Sequence, residues 1–140
     1  MLTIGKVAVL SNATTDTLRF YERERLLVPS KAANGYRQYG EDAVQRVRFI
    51  KHAQQCGFTL AEIREMLDMR SRASACCSDM RSVTIGKKLQ LEHKIKALQT
   101  MSSALDRLIA ACKRDDRPLD ECPILAALDS AMAESSHRGR

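Results

Sequence analysis

Five cysteines, Cys56, Cys76, Cys77, Cys112 and Cys122, are the residues of this 140-residue chain best suited to chemistry. Five is odd, and no even disulfide framework presents itself. The opening MLTIGKVAVL is interrupted by Gly5 and Lys6 and makes a poor signal peptide. No apolar run approaches the ~18–20 residues that span a bilayer. The expected compartment is therefore the cytoplasm, where thiols stay reduced, and reduced thiols outside a main core point to metal or redox chemistry. Cys112 and Cys122 lie ten apart and bracket a charged loop containing Pro118. Two thiolates on such a loop can clamp one metal ion. Cys122 precedes a predicted helix start at Pro123, and Cys77 precedes a longer predicted helix. Helix N-termini favour a negatively charged sulfur in both places. The alternative for any one cysteine is a small buried hydrophobe. That is the reading for Cys56, at a helix end before Gly57. His52, His93 and His137 read as surface residues rather than ligands.

The elements that must position these thiols follow from punctuation and period. Ile4–Leu10 reads as a short helix with Ile4, Val7, Ala8 and Leu10 inward. Asn12 allows a tight left-handed turn after it. Thr14 or Thr15 caps a second helix running to about Arg25. Asn34-Gly35 signals a hairpin. A third helix spans about Glu41 to Gln55 and is closed by Gly57. Thr59 and Glu62 fit a capping box, with Phe58 and Ile63 as its staple. From about Ser78 to Cys112 there is no proline, and Leu91, Leu98 and Leu105 recur by sevens, with Ile95 and Ile109 on the neighbouring stripe. A helix of that length extends ~50 Å. Its apolar stripe either meets a second copy in a coiled coil or packs on the chain's own N-terminal helices. A short apolar helix follows Pro123, and the tail from Ser135 reads as frayed. With no Trp and only three Phe and three Tyr, the core should be aliphatic and thin.

Lys and Arg number 23 against 17 Asp and Glu, a net charge of +6. The excess is +4 in residues 1–75 and +2 in the remainder, which suits a polyanionic partner of the N-terminal half. Two short helices, a tight turn and a hairpin form a winged helix-turn-helix. Its second helix would present Thr15, Asp16, Arg19 and Arg23 to a groove of double-stranded DNA. Arg19 and Tyr21 would hold phosphates, and Lys31, Gly35, Tyr36, Arg37 and Tyr39 would form the wing. Phosphate contacts of this kind fix register rather than read sequence.

Thr17-Leu18-Arg19-Phe20-Tyr21-Glu22, Leu26-Leu27 and Asn34-Gly35-Tyr36-Arg37-Gln38-Tyr39 resemble the MerR family of bacterial transcription regulators. Arg46-Val47-Arg48-Phe49-Ile50 and Gly57-Phe58-Thr59-Leu60-Ala61-Glu62-Ile63 continue the match, and with the long helix and Cys loop it covers nearly the whole chain. Asn12 stands where the family often has Gly. The resemblance implies a mainly α fold: a winged helix-turn-helix in residues 1–75, a dimerisation helix in 76–111, and a metal-binding loop, short helix and tail in 112–140. Leu91, Ile95, Leu98, Leu105 and Ile109 would form the coiled-coil seam.

Cys77 and Cys112 lie at opposite ends of a ~50 Å helix, so a straight helix cannot bring them to one ion. An antiparallel homodimer, the arrangement of the metal-sensing relatives, sets Cys77 of one protomer beside Cys112 and Cys122 of its partner, giving two equivalent sites. The family's copper sensors have Ser at the position of Cys77; Cys there implies a thiophilic dication, Zn(II), Cd(II), Pb(II) or Hg(II). Zn(II) and Cd(II) usually take a fourth ligand, for which Cys76, Asp79, Asp115, Asp116 and water are candidates. The zinc-sensing branch has a second Cys after the first loop Cys and a His further along. Here Lys113 and Arg117 occupy those positions, which argues against a two-zinc cluster. The resemblance further implies weak repression without metal. With metal, the DNA is distorted so that RNA polymerase holoenzyme fires a metal-resistance or efflux promoter in the bacterial nucleoid. The alternative is a thiol-based redox regulator with the same DNA-binding half, using Cys112 with Cys122 or the vicinal Cys76-Cys77 pair. An enzyme is not expected: the chain has no His-Glu-x-x-His run, no Gly-rich phosphate loop and no nucleophile–base pair.

Overall fold

The computed structural model describes residues 1–31, 37–113 and 116–138, and their side chains except at positions 31, 37 and 131–138. The order is α1 (Ile4–Ser11), α2 (Thr15–Arg23), β1 (Ser30–Lys31), β2 (Arg37–Gln38), α3 (Asp42–Gln55), α4 (Leu60–Ser71), α5 (Cys77–Ala111), a 3-10 turn (Leu119–Glu121) and α6 (Pro123–Arg138). The fold is mainly α with a helix-turn-helix and a small wing, as the sequence implies. Two compact units are present, Met1–Lys87 and Lys88–Arg140. The N-terminal unit therefore takes in the start of α5 as well as residues 1–75. Among the described residues no helix is long and apolar enough to cross a membrane.

Local signals set most boundaries of the N-terminal unit. Thr3 caps α1 by accepting the Lys6 N–H, and Thr14 caps α2 by accepting the Thr17 N–H. Asn12 ends α1 in the left-handed conformation, φ 56°. Leu10, expected inward, is exposed. α2 stops at Arg23 rather than near Arg25, because Arg25 turns left-handed at φ 59° and sends Leu26 back to the Tyr21 carbonyl at 2.9 Å. Gly57, at φ 90°, closes α3 as expected. Thr59 and Glu62 form both halves of the capping box. β1 and β2 pair antiparallel, Ser30 with Gln38 and Lys31 with Arg37. The Asn34-Gly35 turn between them lies outside the described residues. Tyr39 adds a bridge to Leu2, with both backbone hydrogen bonds at 2.8 Å.

α1 packs on α3 and α2, and α4 on α3. Val7, Leu18, Tyr21, Leu26, Tyr39, Val47, Ile50 and Ile63 fill the space between them. Each such burial is worth roughly 1.5–3 kcal/mol. The core is not purely aliphatic, since Tyr21 and Tyr39 are its largest fully buried side chains. They are tolerated inside because Tyr21 donates its hydroxyl to Gln54 Oε1 at 2.8 Å and Tyr39 donates to Glu22.

α5 begins at Cys77 and ends at Ala111, one residue earlier at each end than the sequence suggests. The start is fixed by Asp79, whose Oδ2 accepts the Cys76 N–H at 2.8 Å. Its burial pattern is inverted: the one buried residue of α5 is Lys87, while Ile95, Leu98, Leu105 and Ile109 are exposed. In the C-terminal unit α6 packs against the 3-10 turn and starts at Pro123, with Cys122 accepting the Ala126 N–H at 3.1 Å. α6 continues to Arg138, past the expected frayed end, through a run free of Gly and Pro.

Candidate DNA-reading surface and thiol positions

α2 is held from behind by basic side chains of α3 and α4. Arg48 Nη2 donates to the Leu10 carbonyl at 2.7 Å, and Lys51 Nζ donates to the Asn12 carbonyl. Together they fix the turn between α1 and α2. Arg46 Nε donates to the Leu26 carbonyl at 2.6 Å, and Arg64 donates to that of Glu24, fixing the exit from α2. The sequence gives no sign that these four cations brace α2, since a basic residue on a helix is by default a solvated one. Leu18 and Tyr21, three apart, turn inward.

The opposite face of α2 is open. Arg19 and Asp16 are exposed and lie 3.6 Å apart, a loose pair that holds the guanidinium near the surface without removing it from solvent. Thr15, the first residue of α2, is half-buried. Such a face can offer a cation to a phosphate and a carboxylate or hydroxyl to a base edge. Lys31 and Arg37 face each other across the two-stranded ladder. Their side chains, and Gly35 and Tyr36 altogether, lie outside what is described.

Two expected contacts need correction. Tyr21 is 2% exposed and Tyr39 is 0% exposed. The inward stripe of α2 carries the Tyr21 ring into the core, and the bridge to Leu2 holds Tyr39 there as well. Burial raises the Tyr21 pKa above its ordinary value, so its hydroxyl stays a neutral donor to Gln54. Both tyrosines support the reading surface from inside rather than reach out from it.

All five cysteines are free. Cys76 and Cys77 are exposed at the start of α5, and Cys76 Sγ lies 3.0 Å from Ser78 Oγ. Cys112 directly follows α5, and Cys122 joins the 3-10 turn to α6; both are half-buried. Cys56 is exposed at the end of α3, so it is not the buried hydrophobe expected of it; its backbone closes the helix at the surface. His52 and His93 are exposed, as expected. Among the described residues of the single chain, no three His, Cys, Asp or Glu side chains gather as a metal site. The donor chemistry nonetheless suits a soft ion, since Cys77, Cys112 and Cys122 are accessible thiols not consumed in disulfides.

Residues 2–70 match the model of the MerR HTH family regulatory proteins, and residues 44–108 match that of the MerR DNA-binding region. The heavy metal-dependent transcription regulator 2 of Rhizobium meliloti is 32% identical over 95% of this chain and 90% of its own length. The mercuric resistance operon regulatory protein of Pseudomonas fluorescens is 38% identical over 94% of this chain and 90% of its own. The crystal structure of the regulator PbrR691 from Ralstonia metallidurans, in complex with lead(II), superposes with a TM-score of 0.80 at 32% identity, covering 91% of this chain and 99% of that one. The chain belongs to the MerR HTH family of regulatory proteins, transcription regulators rather than enzymes.

Proposed function

We propose that the chain is a metal-responsive transcription regulator of the cytoplasm and nucleoid that binds promoter DNA as an antiparallel homodimer and activates a metal-resistance or efflux promoter when it holds a thiophilic dication. The observation that carries this reading is the placement of two thiols at either end of one helix. Cys77 is the first residue of α5 and Cys112 follows its last. Thirty-five residues at ~1.5 Å each separate them by about 50 Å along the axis. Two such helices running antiparallel bring Cys77 of one protomer to Cys112 and Cys122 of its partner, and two-fold symmetry gives two sites, each for one Zn(II), Cd(II), Pb(II) or Hg(II) ion. Cys76, with its exposed thiol, is the candidate fourth ligand. The bound ion supplies a crosslink between soft sulfurs of two chains.

The chain's own residues supply the rest. Ile95, Leu98, Leu105 and Ile109, all exposed, with half-buried Leu91, provide the seam. Arg19 and Asp16, with Thr15, face the DNA groove, and Lys31, Gly35, Tyr36 and Arg37 belong to the wing that straddles the backbone. Metal-responsive relatives similar over nine-tenths of the chain favour this reading over thiol oxidation. Without metal the dimer holds the promoter weakly repressed. With it, one dimer state is preferred and the two DNA-binding units distort the duplex for RNA polymerase holoenzyme.

The test is anaerobic metal competition on the fully reduced protein, with X-ray absorption to count sulfurs. Three or four sulfurs around a bound dication, and their loss in Cys77→Ser, support the proposal. A promoter response to oxidation alone, with no response to metal, overturns it.

A further inference from the structure

Lys87 is the residue least expected where it lies. It stands on a helix whose leucines and isoleucines are exposed, yet it is 6% exposed itself. Its ammonium lies 2.8 Å from Glu62 Oε1 and 5.6 Å from the centre of the Phe58 ring. The same Glu62 oxygen accepts the Thr59 N–H at 2.8 Å. Lys87 is thus wired into the capping box that starts α4 and the aromatic ring that precedes it, at the joint where Gly57 separates α3 from α4.

We infer that Lys87 is a positioning residue for regulation: its ion pair with Glu62 over Phe58 fixes the rotational setting of α5 against the α3–α4 joint and transmits the metal-dependent state of α5 to the DNA-binding helices. This rests on the metal-regulator reading above. Three observations carry it. First, burying a lysine is a poor way to gain stability, because desolvation of its ammonium offsets the attraction to Glu62; such pairs are better attested as devices that fix register. Second, Glu62 and Phe58, both touched by Lys87, belong to one short segment, Phe58–Glu62. A rotation of α5 therefore acts on the first turn of α4 rather than on a diffuse surface. Third, α4 and α3 carry Arg64, Arg46, Arg48 and Lys51, which hold carbonyls of the segments that lead into α2 and out of it. The path from Lys87 to the reading helix is a chain of direct contacts and short elements. Lys87 follows Cys77 by ten residues, ~15 Å along the same helix, so a pull on the thiol end reaches it through rigid backbone.

The experiment compares the full-length wild type, Lys87→Met and Glu62→Gln. Met matches the length and apolar stem of Lys, and Gln keeps the capping box, so both variants should fold. Each is titrated with Cd(II) alone, and each is bound to a duplex selected by the wild-type protein from a random-sequence library. The duplex carries 2-aminopurine at its centre to report unstacking. Wild type is expected to raise the fluorescence on adding Cd(II). Both variants should keep the Cd(II) affinity and the metal-free duplex affinity and lose only a small part of the thermal midpoint at neutral pH, while the Cd(II) concentration needed for the fluorescence rise moves up about tenfold, or the rise is lost. Lys87→Arg should restore part of it.

A normal metal response in Lys87→Met and Glu62→Gln overturns the inference and leaves the regulator reading standing. So does a parallel fall of stability, duplex affinity and metal affinity, which marks a merely structural pair. A wild-type protein that binds the duplex and ignores Zn(II), Cd(II), Pb(II) and Hg(II) overturns the regulator reading itself.

Discussion

Tyr21 donates its hydroxyl to Gln54 Oε1 across 2.8 Å, joining the inward face of α2 to the last turn of α3. Replacing Tyr21 by Phe keeps the ring and removes only this bond. Gln54, an exposed residue, then turns its acceptor to water, and the expected loss is about 1 kcal/mol. The urea midpoint should fall with an unchanged slope, since the surface exposed on unfolding does not change. Arg19→Ala is the contrasting variant. It should leave the midpoint nearly unaltered, weaken operator binding and reduce the slope of log affinity against log salt by about one. If Tyr21→Phe also flattens the salt dependence, its hydroxyl reaches a phosphate after all.

The parts of the fold that were legible in the sequence are those set by residues close together in the chain. Thr59 and Glu62 announce the start of α4 because a capping box needs only three residues of spacing. Pro123 announces α6 and Gly57 the end of α3 for similarly local reasons. The seven-residue rhythm of Leu91, Leu98 and Leu105 gives the long helix, but what it meets requires a second chain. The burial of Tyr21 and Tyr39 is not legible in the sequence, because an amphipathic ring suits a surface or a satisfied core equally well. The choice depends on Gln54 and Glu22, which come from other elements. Lys87 was illegible for the same reason: its burial depends on Glu62 and Phe58, more than twenty residues earlier.

Acid sensitivity should trace in part to Glu62. The hydrogen bond from Lys87 is the largest cause holding its carboxyl below the ordinary 4.5, with the Thr59 N–H next. The folded pKa is depressed, so the stabilisation is fully present above the unfolded value. It is lost as pH falls from about 4.5 through the lower folded value. Thermal midpoints of wild type measured downward from pH 6 should therefore drop in this window, and Glu62→Gln should drop less. Equal slopes in the two proteins would show that the pair is not formed in solution.

Arg25 occupies the left-handed region at φ 59°, where a side chain costs about 1–2 kcal/mol. Arg25→Gly should therefore raise the stability of the N-terminal unit by about 1 kcal/mol. Asn12, at φ 56°, tolerates this backbone better, and its change to Gly should be nearly neutral. Asn12→Val should be clearly destabilising, because a β-branched residue is poorly accommodated there. Urea unfolding of the three variants orders them directly. A destabilised Arg25→Gly would mean that the arginine side chain contributes more than its backbone costs.

The proposed sharing of each metal site between two chains has a consequence that single substitutions cannot reveal. Consider a heterodimer of one chain carrying Cys77→Ser and another carrying both Cys112→Ser and Cys122→Ser. If each site takes Cys77 from one protomer and the loop pair from the other, one site keeps all three sulfurs and the other keeps none. The purified heterodimer should bind one dication per dimer at an affinity close to wild type, while neither parental homodimer should do so. If the three thiols instead met within a chain, the heterodimer would hold two sulfurs on one side and one on the other, and no intact site would exist. Differential affinity tags isolate the mixed species, and anaerobic titration with Cd(II), read by its sulfur-to-metal charge-transfer absorption, counts the sites. Cys56→Ser placed on either chain should change nothing, because Cys56 closes α3, away from either end of α5 in the sequence.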